Sequence, residues 1–238
     1  MEIDLDFWRQ AWAEGRTAFD QPRPNDLLVE HLPTLGLAPG SRVLVPLCGR
    51  SVDLDHLLAV GHEVVGTELS EIAVGSFFAT RGLEPRVEQV GERRVYEAPG
   101  ITIYQGDHFE LTPHDVEGVA AVYDRASLVA LPETLRDRYA EHLRSVLPAP
   151  VPMLVITFEY DEGSFEGPPL SVPVEEVERL FGATHDVEVL ERVDLAARGG
   201  SSRLVEAGVR GVEEVATALR PRAGLTRVSA RGSPRGRG

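Results

Sequence analysis

The fold of this chain is decided by residues 42–51, whose sequence is Arg42-Val43-Leu44-Val45-Pro46-Leu47-Cys48-Gly49-Arg50-Ser51. The apolar run at its start predicts a buried strand. Gly49 then allows the backbone to approach a ligand closely. Residues 53–60 follow with helical spacing and end at Gly61, a favoured residue just past a helix. The stretch therefore predicts a strand, a loop and a helix, the repeating unit of α/β proteins.

The same alternation continues along the chain. We predict further strands at 63–67, 94–97, 101–105, 119–123, 153–158, 185–192 and 202–207, and helices at 70–82, 132–147 and 173–181. Strands that alternate with helices indicate a mainly parallel sheet with helices on both faces. Ligands of such sheets bind beyond the carboxyl ends of the strands. We therefore expect the site just after Leu47, Thr67, Gln105 and Tyr123.

Composition excludes several classes of function. The chain has 238 residues and a net charge of -14, and all 24 basic residues are arginine. Schiff-base chemistry, a lysine general base and a P-loop lysine are therefore excluded. The acidity argues against nucleic acid or an anionic membrane as the main partner. The seven histidines show no metal-ligand spacing, so we expect no metal.

Cys48 is the only cysteine, so no intrachain disulfide can form, and we expect a cytoplasmic protein. The sequence contains neither a signal peptide nor an apolar run of the roughly 20 residues that a membrane span needs. Residues 210–238 carry seven arginines against two glutamates and end in a Gly/Arg-rich stretch. We predict one domain over residues 1–209 and a disordered tail over 210–238.

Two polar features at the first two strand ends indicate a nucleoside cofactor. Glu68 stands where the second strand ends, and an acid there can accept hydrogen bonds from both ribose hydroxyls. The loop at Gly49 is not a G-x-G-x-x-G motif, which disfavours a pyrophosphate. A nucleoside without a diphosphate fits best, and S-adenosylmethionine is the obvious one. The alternatives are an ordinary α/β turn at Gly49 and a purely structural acid before the next helix at Glu68.

The third and fourth strand ends also carry polar residues. Asp107 could bind an adenine amino group, whereas Phe109 is better explained as a core residue. Asp124 and Arg125 stand where the transferred group is expected. A structural Asp–Arg pair is the alternative for these two residues.

These pieces, joined to the N-terminal aromatic residues, resemble the thiopurine S-methyltransferase family. The matching segments occur in family order over residues 7–207: Trp8-Arg9-Gln10-Ala11-Trp12, residues 15–20, 45–53 and 61–71, Tyr123-Asp124-Arg125-Ala126, and residues 159–161, 167–172 and 177–182. Each segment is short, but their combination is highly specific. The resemblance implies a single-domain, Rossmann-like class I methyltransferase with a mostly parallel seven-stranded sheet and an N-terminal helical lid over residues 1–35.

The resemblance also implies roles for particular residues. The cofactor is S-adenosylmethionine, which becomes S-adenosylhomocysteine. Its implied contacts are Trp8, Trp12, Phe19, Leu47, Gly49, Glu68, Leu69, Asp107, His108 and Arg125. Asp124 and Arg125 are implied at the catalytic centre, and Phe19, Arg125 and Arg198 at the acceptor. Arg198 is assigned from its place after Val193-Asp194, although the spacing there is shorter by about one residue.

The expected activity is methyl transfer from S-adenosylmethionine to aromatic or heterocyclic thiols, and to selenium or tellurium species. A thiol or halide methyltransferase with a small acceptor is the nearest alternative. A non-catalytic S-adenosylmethionine-binding protein is the alternative from another class. We expect a monomer with a small-molecule thiol acceptor and with neither nucleic acid nor membrane as partner.

Overall fold

The computed structural model describes residues 4–17, 19–161, 164–198 and 203–223. Its helices are α1 (Leu5–Ala13), α2 (Asp26–His31), α3 (Asp53–Ala59), α4 (Glu71–Thr80), α5 (Glu133–Val146), α6 (Val174–Phe181) and α7 (Arg203–Glu206). Its strands are β1 (Arg42–Val45), β2 (Glu63–Glu68), β3 (Arg86–Val90), β4 (Arg93–Ala98), β5 (Ile101–Gln105), β6 (Val119–Arg125), β7 (Met153–Glu159), β8 (His185–Asp194) and β9 (Glu213–Pro221).

The strands form one sheet in the order β3-β4-β5-β2-β1-β6-β7-β9-β8. The five central strands from β5 to β7 run parallel, whereas β3, β4 and β9 are antiparallel to their neighbours. The predicted α/β class is confirmed, but the prediction of a mostly parallel seven-stranded sheet is wrong. The sheet in the described part of the chain is mixed and has nine strands.

Helices cover both faces of the sheet. Alternate residues of a strand point to opposite faces, so they pack against different helices. Val43 and Val45 of β1 pack in one apolar cluster with residues of α2, α3 and α4. Leu44, between them, packs in a second cluster with residues of α5 and α6. Both faces of the parallel strands are therefore buried, which leaves the ends of the strands for a ligand.

The errors in the strand predictions have two causes. The sequence does not predict β3, which lies at the edge of the described sheet beside β4. All five of its residues are exposed, so its sequence does not alternate between apolar and polar residues. The predicted strand at 202–207 is wrong, because residues 203–206 form α7 and the strand is β9.

The predicted tail begins too early. β9 lies between β7 and β8, and Val215, Ala216 and Leu219 are fully buried. The abundance of arginine after residue 209 concealed this apolar run. Residues 224–238, which make up the rest of the predicted tail, lie outside the described residues.

The predicted lid over residues 1–35 divides into two parts. Leu27, Leu28 and Leu32 of the second part belong to a core cluster, so α2 is a layer of the fold. In the described part of the first segment, Trp12 of α1 lies against the first strand loop at Gly49. None of the helices in the described part of the chain has the length and apolar character that crossing a membrane requires.

Candidate active site

The loop after β1 is shaped by two left-handed backbone positions and anchored to β2. Leu47 and Gly49 have φ values of 47° and 56°. The Leu47 N–H donates to Thr67 Oγ1 at 3.1 Å, and the Cys48 N–H donates to the Thr67 carbonyl at 2.8 Å. A side chain at a positive φ is strained, so Leu47 is held there by these contacts. The loop thus meets the carboxyl end of β2, as the sequence predicts.

Glu68 ends β2 and joins this loop to α4. One of its carboxylate oxygens accepts from the Gly49 N–H at 2.9 Å, and the other accepts from the Ser70 N–H at 2.7 Å. Burial raises the pKa of Glu68 to about 7, against the opposing effect of these backbone donors. Each carboxylate oxygen can accept two hydrogen bonds, so the carboxyl retains capacity for ribose hydroxyls.

The loop after β5 places its two predicted residues differently. Asp107 accepts the Phe109 N–H at 2.9 Å and so begins a short helical turn. His108 is buried, and its Nδ1 lies 2.9 Å from Thr67 Oγ1. Burial lowers the pKa of His108 to about 3, so the ring is neutral. His108 therefore supports the β1 loop through Thr67, and its predicted contact with adenine stays a prediction.

The N-terminal aromatic residues pack together over the β1 loop. Trp8 and Trp12 each meet Phe19 edge-on, with ring centroids 5.8 and 5.3 Å apart. A Cβ added to Gly49 would lie 3.2 Å from the Trp12 ring. Arg50 fastens the segment, because its Nε donates to Asp20 at 2.5 Å and its guanidinium lies over Trp12. The predicted aromatic residues and the predicted glycine loop are thus brought together.

At the end of β6, the neighbours Asp124 and Arg125 face opposite sides of the sheet. Arg125 donates to Asp53 Oδ2 at 3.2 Å on the α3 side. Asp124 is fully buried and accepts the Tyr139 O–H at 2.6 Å on the α5 side. Strand alternation turns the Asp124 carboxyl away from the face that Arg125 occupies, and its predicted catalytic role stays a prediction. Arg125 remains the candidate for the acceptor site.

Two further arginines lie near this end of the sheet. Arg198 pairs with Asp26 at 3.1 Å and is 37% exposed, so it lies at the rim, and its contact with an acceptor stays a prediction. Arg203 donates to the Pro168 carbonyl at 2.9 Å and lies over Phe165. Sequence reasoning missed Arg203 because it assigned residues 202–207 to a strand.

The sequence model of the thiopurine S-methyltransferase family matches residues 3–221. The chain belongs to this family. A thiopurine S-methyltransferase of Pseudomonas fluorescens (strain Pf0-1) is 45% identical over 209 residues, which are 88% of this chain and 95% of the relative. One of Azotobacter vinelandii is 46% identical over 190 residues, 80% of this chain and 87% of the relative.

Solved structures show the same fold at low sequence identity. The 1,6-didemethyltoxoflavin-N1-methyltransferase of Burkholderia thailandensis, solved with S-adenosylhomocysteine, has a TM-score of 0.59 at 18% identity over 92% of this chain and 87% of that one. The family match and the relatives in Pseudomonas and Azotobacter show that the protein is an S-adenosylmethionine-dependent S-methyltransferase, which confirms the predicted family and cofactor.

The geometry at the ends of β1 and β2 fits this cofactor. Glu68 is a buried acceptor at the end of β2, and the absence of a Cβ at Gly49 lets the Trp12 ring lie close against the β1 loop. The contact of Glu68 with the ribose stays a prediction. Among the described residues, one group of side chains near the C-terminal end of α2 could bind a metal ion. Its members are Glu30, His31 and Glu191. There, His31 and Glu191 pair directly at 2.8 Å.

Gly49→Ala is expected to weaken the binding of S-adenosylhomocysteine about tenfold. The new Cβ would press on the Trp12 ring at 3.2 Å, and the left-handed conformation costs a non-glycine residue about 1–2 kcal/mol. Titration calorimetry measures the affinity, and Gly15→Ala is the matched control. Gly15 also has a positive φ, of 69°, but a Cβ there meets nothing within 4 Å. Equal losses in the two variants would show that backbone strain alone is responsible.

Proposed function

We propose that this enzyme transfers the methyl group of S-adenosylmethionine to the sulfur of aromatic or heterocyclic thiols. The observation that carries the proposal is Arg125, whose side chain is 13% exposed and lies at the carboxyl end of β6. Its guanidinium is a fixed cation beside the cofactor loop, and a thiolate is the form of a thiol that reacts. The names of the relatives, thiopurine S-methyltransferase, support the same class of acceptor.

When bound, S-adenosylmethionine supplies a methyl group made electrophilic by its sulfonium. The chain's own residues orient and shield the reaction. Glu68 and the Gly49 backbone hold the nucleoside, and the aromatic residues over the loop exclude water. Arg125 stabilises the acceptor as its thiolate. The thiol gives its proton to bulk water before it enters the site, because a guanidinium stays charged and is a poor base. The sulfur gains the methyl group as the bond between that group and the sulfonium breaks.

A panel of acceptors tests the proposal against its alternatives. The protein is incubated with donor carrying a labelled methyl group and with a thiopurine, a thiophenol, iodide or selenite. Label in the two aromatic thiols supports the proposal, and label in selenite extends the acceptors to selenium. Label in iodide alone would favour a halide methyltransferase with a small acceptor. Binding of S-adenosylhomocysteine without any methylated product would favour a non-catalytic binding protein.

The affinity for S-adenosylhomocysteine should rise with pH up to about 7. The pKa of Glu68 is raised to about 7 in the free protein by burial. Ribose hydroxyls donate to the ionised carboxylate and favour it, so binding releases a proton. Affinity should therefore fall about tenfold per pH unit below 7. Calorimetry from pH 5.5 to 8 measures this slope, and Glu68→Gln should abolish it. The same slope in Glu68→Gln would assign the proton to another group.

A further inference from the structure

The guanidinium of Arg125 belongs to a buried polar network that the family assignment does not explain. Asp53, the first residue of α3, is 1% exposed and lies at the centre of this network. Its Oδ2 accepts from Arg125 Nη1 at 3.2 Å and from the Tyr123 hydroxyl at 2.9 Å. Its Oδ1 accepts from the Asn25 N–H at 2.8 Å. Three segments far apart in the chain therefore meet at one carboxylate.

A second carboxyl, that of Glu214, reaches the network less directly. Asn25 Nδ2 donates to Glu214 Oε1 at 2.8 Å. Among the described residues, Asp53 is the acid to which Arg125 donates a hydrogen bond. The charge of Glu214 attracts the guanidinium at longer range and helps to raise its pKa. Asp53 is thus the group that fixes the position of Arg125.

An arginine that stabilises a thiolate must be held in place. Its side chain has several rotatable bonds, and fixing a reacting partner within a fraction of an ångström governs the rate. A buried cation also requires an opposite charge nearby. Asp53 meets both requirements while occupying one Nη of Arg125, which leaves the other guanidinium donors for the acceptor.

We propose that Asp53 is a positioning residue for methyl transfer, which anchors Arg125 from behind so that its free N–H groups face the acceptor sulfur. The inference rests on the proposed function, since it assumes that Arg125 meets the acceptor. Asp53 follows directly on the loop that carries Gly49. The anchor of the arginine and the cofactor loop are therefore parts of one continuous segment, residues 46–53.

Asp53→Asn tests the proposal by removing the charge while keeping the size of the side chain. We expect kcat for an aromatic thiol to fall about 10- to 30-fold, as for the loss of a charged hydrogen bond. The affinity for S-adenosylhomocysteine should change less than threefold. Tyr123→Phe is the matched control, because it removes another hydrogen bond to the same oxygen and leaves the charge in place. Its kcat should fall less than threefold.

Two outcomes of these assays would overturn the proposal. One is a fall in kcat for Asp53→Asn no larger than that for Tyr123→Phe. The other is a loss of cofactor affinity as large as the loss of kcat, since that would mean that Asp53 merely shapes the loop.

A second measurement needs no acceptor and separates this inference from the proposed function. Nitrogen-15 spectra of the arginine side chains report how fast the guanidinium protons of Arg125 exchange with water, and Arg125→Lys assigns the signal. Exchange should be slow in the unmodified protein and at least tenfold faster in Asp53→Asn. Fast exchange in the unmodified protein would overturn the inference even if Asp53→Asn does not fold. If no thiol is methylated, the proposed function fails, whereas the anchoring of Arg125 is still decided here.

Discussion

Glu68→Ala is expected to weaken the binding of S-adenosylhomocysteine by about 10²- to 10⁴-fold, because each of two hydrogen bonds from ribose hydroxyls to a carboxylate contributes about 1.5–3 kcal/mol. The change also leaves the N–H groups of Gly49 and Ser70 without the acceptor they have at 2.9 and 2.7 Å. The β1 loop and the start of α4 would both lose their shared partner. Titration calorimetry measures the affinity, and thermal unfolding shows whether the fold persists.

Glu68→Gln separates the two parts of this effect. Glutamine keeps one carbonyl oxygen for the backbone donors but lacks the charge and the second acceptor oxygen. Its affinity should lie between those of the unmodified protein and Glu68→Ala, with a smaller loss of stability. A folded Glu68→Ala protein that binds S-adenosylhomocysteine within fivefold of the unmodified one would mean that the ribose is held elsewhere.

The strand ends could be predicted from the sequence because the parallel strands are buried on both faces. Such strands give continuous apolar runs, and the residues that follow them fall at one edge of the sheet. Gly49, Glu68 and Arg125 are predicted in this way. Glu68 and Arg125 are the last residues of β2 and β6, and Gly49 lies in the loop after β1. The orientation of Asp124 was also within reach of the sequence. Strand alternation alone places its side chain on the opposite face of the sheet from Arg125, although the resemblance implies a catalytic role for both residues.

The Asp53 network could not be predicted, because its contacts are non-local. Arg125 and Asp53 are 72 residues apart, and Asn25 and Glu214 are 189 apart. Apolar periodicity indicates which face of an element is buried, but not which polar side chain of another element meets it. In the sequence, Asp53 is an ordinary acid in the first turn of a helix. Only the folded structure, in which Asp53 meets the end of β6, shows that it accepts a hydrogen bond from the largely buried Arg125.

Arg125→Met is expected to lower kcat/KM for aromatic thiols by about 10²- to 10³-fold, the usual loss when a donor to a developing or reacting anion is removed. The affinity for S-adenosylhomocysteine should stay within a few-fold, because the ribose and the β1 loop are held by other residues. The loss should be larger for thiols of high pKa than for thiols already ionised at the assay pH. If Arg125 had only a structural role, its replacement would lower kcat/KM equally for both kinds of thiol.

The same variant leaves Asp53 without its cation, which costs about 3–5 kcal/mol for a buried pair. The change in activity must therefore be separated from the change in stability. Adding Asp53→Asn to Arg125→Met should recover much of the stability, since no charge is then left unpaired, and should recover none of the activity. Arg125→Lys keeps the charge but not the planar fork, so its loss should be intermediate. If the double variant regained activity along with stability, Arg125 would contribute to the fold alone, and the acceptor thiolate would have to be stabilised by another group.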